Sequence, residues 1–344
     1  MSVTAITPGS GVNRLIYVDD SLPGISRRRS GKGWSYRDAH GKLIANEAER
    51  RRLNAIALPP AYEDAWFCPA PNGHILATGI DAKGRKQYRY HPEFRAIREG
   101  EKFDRLVHFG NLLPLLRKRV AQDISSRLLG HDRAVAGIVR LLDTGLIRVG
   151  NPRYCKQNGS FGASTLRMQH ATLEGSTLTL RFRAKSGKQR EVAVADPSLS
   201  RFIRRMQDLP GQNLFQYIDE DAEVRGVSSC DVNAYIRETM GEAFTAKHFR
   251  TWHASEIAFR TLAEARESLT IKSVMETVSE KLGNTPTIAR NSYVHPRVTA
   301  LIDTQDAFRA NLNLPRRTKW LTRHERALAR WLEEEEDAPA ALTA

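Results

Sequence analysis

The residues of this chain whose types suit chemistry are a few cations and one tyrosine, each near the end of a predicted element. Arg148 stands in Leu146-Ile147-Arg148-Val149-Gly150-Asn151, just past an apolar helical stripe. Lys185 occupies the turn of Phe182-Arg183-Ala184-Lys185-Ser186-Gly187-Lys188. Arg250 lies in Lys247-His248-Phe249-Arg250-Thr251, inside a helix that Thr245 is placed to cap. Asn284 and Tyr293 share a segment in which Gly283 suits a helix end, Asn284 or Thr285 caps the next helix and Pro286 fits its first turn. That spacing puts Tyr293 about two turns into the second helix. Taken singly, each has an ordinary structural account. An arginine past a helix complements its dipole, a hairpin lysine is a solvated tip, and a tyrosine beside His-Pro packs.

The charge balance points any such chemistry at a polyanion. Lys plus Arg number 53 against 39 Asp plus Glu, a net of +14, and five of the acids are gathered at Glu333 to Asp337. A field of that sign favours partners whose neutralised phosphates release counterions. Other chemistries lack their signatures. No G-x-x-x-x-G-K-[ST], H-E-x-x-H or G-x-S-x-G occurs, and Cys68, Cys155 and Cys230 form no C-x-x-C pair. The expectation is therefore no nucleotide, no metal and no other cofactor. No apolar run approaches the roughly 18 residues that a membrane span needs, and the N-terminal segment lacks a basic stretch followed by an apolar one. A cytoplasmic protein without disulfides is expected.

The elements that must position these groups fall into two classes. Up to about residue 90 short strands and turns dominate, with a strand candidate at Leu15–Val18, a Gly-punctuated segment with aromatics at Gly31–Tyr36 and a helix over Asn46 to Ile56. After Pro92 the apolar period becomes helical: Glu93 to Leu106, Leu112 to Leu129, Asp132 to Leu142. A β interlude follows, with Leu178, Leu180 and Phe182 alternating, a turn at Ser186-Gly187, and Val192 and Val194 resuming. Helical patterns cover 197–207, 229–241, 246–266, 271–282, 296–311 and 320–335. The fold class is α+β: a small β-rich N-terminal domain (1–91), a larger mainly α-helical domain (92–337) with an inserted β-hairpin, and a frayed tail (338–344).

Together the motifs carry a resemblance. From about residue 14 to 311 the chain resembles type IB DNA topoisomerases of the poxvirus and bacterial kind. The matching stretches, in order, are Pro23-Gly24-Ile25-Ser26-Arg27-Arg28-Arg29, Asp81-Ala82-Lys83-Gly84-Arg85-Lys86-Gln87-Tyr88-Arg89-Tyr90, the Ile147 to Asn151 turn, the Lys185 hairpin, Lys247 to Thr251, and Gly283 to Tyr293. The resemblance implies a topoisomerase IB and tyrosine recombinase-like core, and the relaxation of supercoiled duplex DNA through a transient 3′-phosphotyrosyl link, without ATP or metal. It makes Tyr293 the nucleophile, Arg148 and Arg250 the clamp on the scissile phosphate, and Lys185 the general acid toward the 5′-oxygen. Lys247 takes a supporting role. Guanidiniums suit the clamp because they stay charged and donate in a fork. An ammonium suits the acid as a proton donor whose readiness a neighbouring cation and desolvation increase. Asn284 departs from the histidine of poxvirus and eukaryotic members; an amide still donates a hydrogen bond but carries no charge near neutral pH.

The resemblance also implies that the strand bearing Gln87, Tyr88 and Tyr90 lies against DNA; its interleaving of Lys83, Arg85 and Lys86 with aromatics suits that, or a solvated basic edge strand. Arg27, Arg28, Arg29 and Lys32 are expected to add phosphate contacts without specificity, and Tyr154 either buttresses the active site or packs. Two domains joined near 91–95 fit a clamp around double-stranded DNA, working as a monomer in a cytoplasmic, nucleoid-associated setting. Two rivals stand beside this expectation. A tyrosine recombinase shares the helical core, but recombinases usually start with a helical domain and carry His-x-x-Arg where this chain has Lys247-x-x-Arg250. A non-catalytic basic DNA-binding protein would share only the charge.

Overall fold

A computed structural model describes residues 15–31, 33–241 and 244–337; Lys32 and the tail expected at 338–344 lie outside these. Two compact units divide after Lys102. The first holds β1 (Ile25–Ser30), β2 (Gly33–Arg37), α1 (Glu47–Ala55), β3 (Glu63–Phe67), β4 (Ile75–Ile80) and β5 (Lys86–Tyr90). Its strands form one antiparallel sheet in the order β2-β1-β3-β4-β5. The α1 helix starts where the sequence has its cap: Asn46 Oδ1 accepts from the Glu49 N–H at 3.1 Å. One face of the sheet buries Ile25, Tyr36, Phe67 and Ala77 together with Leu53 of α1.

The expected strand Leu15–Val18 is only a bridge, from Ile16 to Gly73. The Ile16 N–H donates to Asn72 C=O and the His74 N–H to Ile16 C=O, but the Val18 N–H then turns to the His74 ring Nδ1. A side chain has taken the next rung of the ladder.

Next comes α2 (Pro92–Ile124), one helix where two were expected. Its first turns belong with the sheet unit because Phe94 packs on His74, Tyr17 and Tyr90 at ring-centroid distances of 5.0, 5.8 and 5.6 Å. The apparent gap over 107–111 contains Gly110, which is no break. A Cβ there would collide with the Trp252 ring, so this glycine serves a close helix approach.

The second unit continues with α3 (His131–Gly145), α4 (Pro152–Asn158), β6 (Ala171–Glu174), β7 (Thr177–Arg183), β8 (Gln189–Ala195), α5 (Pro197–Gln207), β9 (Gln216–Ile218), β10 (Val224–Gly226), α6 (Ser229–Met240), α7 (Ala246–Glu264), α8 (Ile271–Leu282), α9 (Pro286–Ser292), α10 (Pro296–Ala300), α11 (Gln305–Asn311) and α12 (Arg323–Asp337). The hairpin β7–β8 has β6 as a third strand. The fold is α+β, a small antiparallel sheet unit and a mainly helical one. In the helical unit α3 and α7 are the innermost elements, buried from Ala134 to Leu142 and from Phe249 to Leu262 on most sides.

The pattern over 296–311 divides into α10, a tight turn at Leu301–Thr304, and α11. A tertiary contact holds that interruption. Gln305 accepts from the Leu269 N–H at 2.8 Å and donates to the carbonyls of Leu269 and Ile302 at 3.1 and 3.0 Å.

A buried ion network binds four helices. Arg117 of α2 reaches Asp143 of α3 and Glu325 of α12, each at 2.7 Å. His253 Nε2 of α7 lies 2.9 Å from Asp143 Oδ1, and Trp252 Nε1 donates to Glu325 Oε1 at 3.2 Å. Burial works to raise both carboxyls, but the Arg117 guanidinium outweighs it and holds both below their ordinary values. Groups depressed in this way contribute stability above the unfolded carboxyl pKa and lose it as pH falls through the folded value. Arg117→Met strands two buried carboxylates and is expected to cost about 3–5 kcal/mol in chemical denaturation at neutral pH, with the loss shrinking in acid. A loss under about 1 kcal/mol, typical of a surface pair, would show that the network carries no such weight.

Candidate active site

The site begins where α3 stops. Leu146 adopts the left-handed conformation (φ 53°, ψ 25°) and sends the chain out of the helix toward Arg148. The strip after it is laced to a neighbouring loop: the Ala163 N–H donates to Arg148 C=O at 2.9 Å and the Ser164 N–H to Val149 C=O at 2.7 Å. The two backbones touch so closely that a Cβ on Gly162 would sit 2.6 Å from both the Arg148 oxygen and the Gly150 nitrogen. Main-chain bonds thus fix the backbone that carries Arg148.

Arg250, from the first turn of α7, is 3% exposed. Its guanidinium donates to Leu146 C=O, just past α3, and to Leu282 C=O at 3.0 Å, the last residue of α8. Its Nε is buried without a partner. Burial, and then the Arg148 charge, pull its pKa down to about 10.

Tyr293 arrives by the route read from the sequence. Gly283 ends α8 with φ +63°, Thr285 Oγ accepts from the Ile288 N–H at 3.3 Å, and Pro286 opens α9. Tyr293 then caps α9 from just outside it, its N–H donating to Ala289 C=O at 3.1 Å. The Arg250 guanidinium carbon lies 4.9 Å from the centre of its ring. Burial works to raise the phenol pKa; the charges and hydrogen bonds of Arg250 and Arg148 outweigh it and hold it below the ordinary value. In the turn between α8 and α9, Asn284 has both Oδ1 and Nδ2 buried and unpartnered. An amide so placed has a donor and an acceptor to spend on a ligand.

Arg148, Lys185, Arg250 and Tyr154 line one cavity of about 500 Å³, with Leu282 and Gly283 from the turn before Asn284. Five cations border it, the others being Arg153 and Arg190, and no carboxylate does. Such a lining favours an anion. Lys185 is exposed at the tip of β7–β8, where desolvation was expected. Lys247 is exposed one turn before Arg250 and does not border the cavity. Tyr154, half-buried on α4, does border it; its N–H donates to Asn151 Oδ1 at 3.1 Å. Arg190 was missed, since nothing in Gln189-Arg190-Glu191 separates it from other strand cations. Among the described residues no three His, Cys, Asp or Glu side chains are grouped to hold a metal, and no helix is long and apolar enough to cross a membrane.

In the sheet unit, β5 is an edge strand and its side chains alternate. Tyr88 and Tyr90 share a face with Lys86; their rings stack at 5.8 Å and are 40% and 39% exposed. Pairings place Ser26, Arg37, Trp66 and Thr78 on that same side of the sheet, Thr78 being buried there. Gln87 points the other way and, like Arg85, is held by Asp81 Oδ2, at 3.0 and 2.9 Å. Lys83 is exposed in the turn before β5. Arg27 also turns inward, donating to the carbonyls of Leu58, Pro59 and Tyr62 and stacking on Trp34. It is spent on the fold, whereas Arg28 and Arg29 are exposed.

Residues 91–313 match the family model described as eukaryotic DNA topoisomerase I, catalytic core, and residues 33–81 match that of the bacterial DNA topoisomerase IB N-terminal domain. The DNA topoisomerase 1B of Acanthamoeba polyphaga mimivirus is 31% identical over 287 residues, covering 79% of this chain and 85% of that protein. The DNA topoisomerase 1B of Vaccinia virus (strain Copenhagen) is 22% identical over 245 residues, covering 70% and 76%. Among solved structures, the XerH site-specific recombinase bound to palindromic difH substrate is similar at a TM-score of 0.38 and 15% identity, over 57% of this chain and 51% of that one.

The charge arrangement around the phenol is directly measurable. Followed by carbon NMR, with Tyr293→Phe identifying the signal, Tyr293 is expected to titrate below the ordinary tyrosine value of about 10. Arg250→Met is expected to move it above that value, because burial then loses its chief counterweight. A phenol unmoved by the substitution would show that Arg250 does not set its acidity.

Proposed function

This chain belongs to the type IB DNA topoisomerases, isomerases that act on DNA, and on that premise we propose how its own residues perform the reaction. The Tyr293 Oη attacks a phosphodiester in one strand of duplex DNA. An Oη–P bond forms as the P–O5′ bond breaks, leaving a 3′-phosphotyrosyl link and a 5′-hydroxyl. The phenol proton leaves to solvent under the pull of Arg250 and Arg148, and Lys185 Nζ gives a proton to the departing O5′. Resealing runs the same transfers backward, with the 5′-hydroxyl displacing Tyr293. An aryl phosphodiester retains the bond energy of the link it replaces, so neither ATP nor metal enters the balance. While the strand is open, rotation about the intact strand relaxes supercoils of either sign.

One observation carries this reading: a cavity bordered by five cations and no carboxylate, with two of those cations also depressing a phenol's pKa. Arg148 and Arg250 then stabilise charge on the non-bridging oxygens as it develops, and Asn284 Nδ2 adds a neutral donor. Lys247 and Tyr154 support DNA from the adjoining surface. In the sheet unit, Tyr88 and Tyr90 offer an aromatic face to DNA beside the bases Lys83, Arg85 and Arg28, with Gln87 at the edge. The protein works as a monomer on double-stranded DNA, in the cytoplasm and at the nucleoid, and needs no nucleotide cofactor.

Denaturant added to the protein with supercoiled plasmid, without ATP or magnesium, is expected to trap DNA on the peptide bearing Tyr293. Tyr293→Phe is expected to keep DNA affinity and lose all nicking; relaxation by that variant would overturn the assignment. Asn284→His is expected to cleave at close to the native rate and Asn284→Ala about tenfold slower, the worth of one hydrogen bond to a charged group. Equal single-turnover rates for all three forms would remove Asn284 from the mechanism.

A further inference from the structure

Of the two cavity cations that no motif identified, Arg153 and Arg190, Arg190 belongs to the hairpin. It is the second residue of β8, directly opposite Phe182 in the hairpin ladder, and so lies a short way below the tip that carries Lys185. Its guanidinium leaves the hairpin and donates to the carbonyls of Glu280 (3.1 Å) and Lys281 in the last turn of α8. It also packs closely on Gly283, where any side chain would collide with it. Arg190 thus joins two pieces of the site. One bears Lys185. The other is the α8–α9 turn, which bears Asn284 and leads to Tyr293.

The energetics make this an unusual place for a further arginine. Arg148 is close enough to disfavour its charge, and its own burial disfavours it more. What offsets both is the negative end of α8, whose final carbonyls lack partners within the helix. A merely solvating cation has no need of such a berth. With its forked nitrogens committed to backbone, Arg190 is occupied in holding one element to another.

We propose that Arg190 is a positioning residue, which registers the Lys185 hairpin against the α8–α9 turn so that the proton donor and the nucleophile meet one phosphodiester. This inference rests on Lys185 being the proton donor to O5′. Without the bolt, the exposed tip samples placements in which Nζ is out of reach of O5′, while the arginine clamp and Tyr293 keep their own supports.

Sulfur in place of the bridging O5′ tests this, because a thiolate leaves without needing a proton. Single-turnover cleavage is measured on an ordinary duplex and on one with a bridging 5′-sulfur at the cleaved link, for the native protein, Lys185→Ala, Arg190→Met and Arg190→Lys. Melting curves and duplex affinity identify any variant that is not folded. On the ordinary duplex Arg190→Met is expected to be slowed about 10- to 100-fold, part of the roughly 10²–10⁴ that general-acid catalysis supplies, and Arg190→Lys less. On the sulfur duplex Lys185→Ala and Arg190→Met are both expected to come within about threefold of native. If Lys185→Ala recovers and folded Arg190→Met stays slow, Arg190 acts on the phosphate or on Tyr293 and the inference fails alone. A native rate for Arg190→Met on both duplexes also sinks it. If Lys185→Ala fails to recover, the assignment of the proton donor is what falls.

Discussion

One buried guanidinium organises the catalytic unit. Arg250 draws together the chain leaving α3 and the chain ending α8 by donating to a carbonyl of each. A charge that deep is costly unless its donors are spent, and here helix ends with unsatisfied carbonyls receive them. The same bonds fix where the charge sits, over the Tyr293 ring and near Arg148. The two guanidiniums are brought together by backbone geometry against their mutual repulsion, and both favour the charged form of the phenol beside them. Like charges packed this way raise the energy of the protein alone and lower it when an anion sits among them, which is the balance a phosphoryl-transfer site requires.

Support for that arrangement comes from behind. Asp143 lies shortly before the turn that carries Arg148, and His253 lies one helical turn after Arg250; the two touch each other, and Arg117 and Glu325 extend the contact to α2 and α12. The elements that carry the two arginines are thus joined twice, once at the cavity through Arg250 and once through a buried ion network. The first union borders the cation-lined cavity, and the second ties α3 and α7 to α2 and α12. Precision at the site is a property of both.

The sheet unit solves a simpler problem by the alternation of its strands. One face is buried against α1 and takes Arg27 with it, its guanidinium satisfied by three carbonyls. The other leaves Tyr88 and Tyr90 stacked and partly exposed beside Lys86. Neighbouring residues of one basic strand therefore have opposite jobs, because a one-residue step reverses the direction of the side chain.

Much of this protein was legible residue by residue. Helix period and capping chemistry located α1, α3 and α5 to α8, and Gly283, Thr285 and Pro286 announced the turn that presents Tyr293. These are local matters, decided by φ preferences and by hydrogen bonds over three or four positions. The family's order of motifs named Arg148, Lys185, Arg250 and Tyr293, because chemistry constrains residue type as well as position. Only the folded chain decided the rest. Gly110 read as a gap and is a contact with Trp252; the stretch over 296–311 read as one helix and is broken where Gln305 grips Leu269; Arg190 read as nothing and joins β8 to α8. Each of these depends on a partner distant in the chain, and a residue's own neighbourhood carries no record of what folding will bring against it.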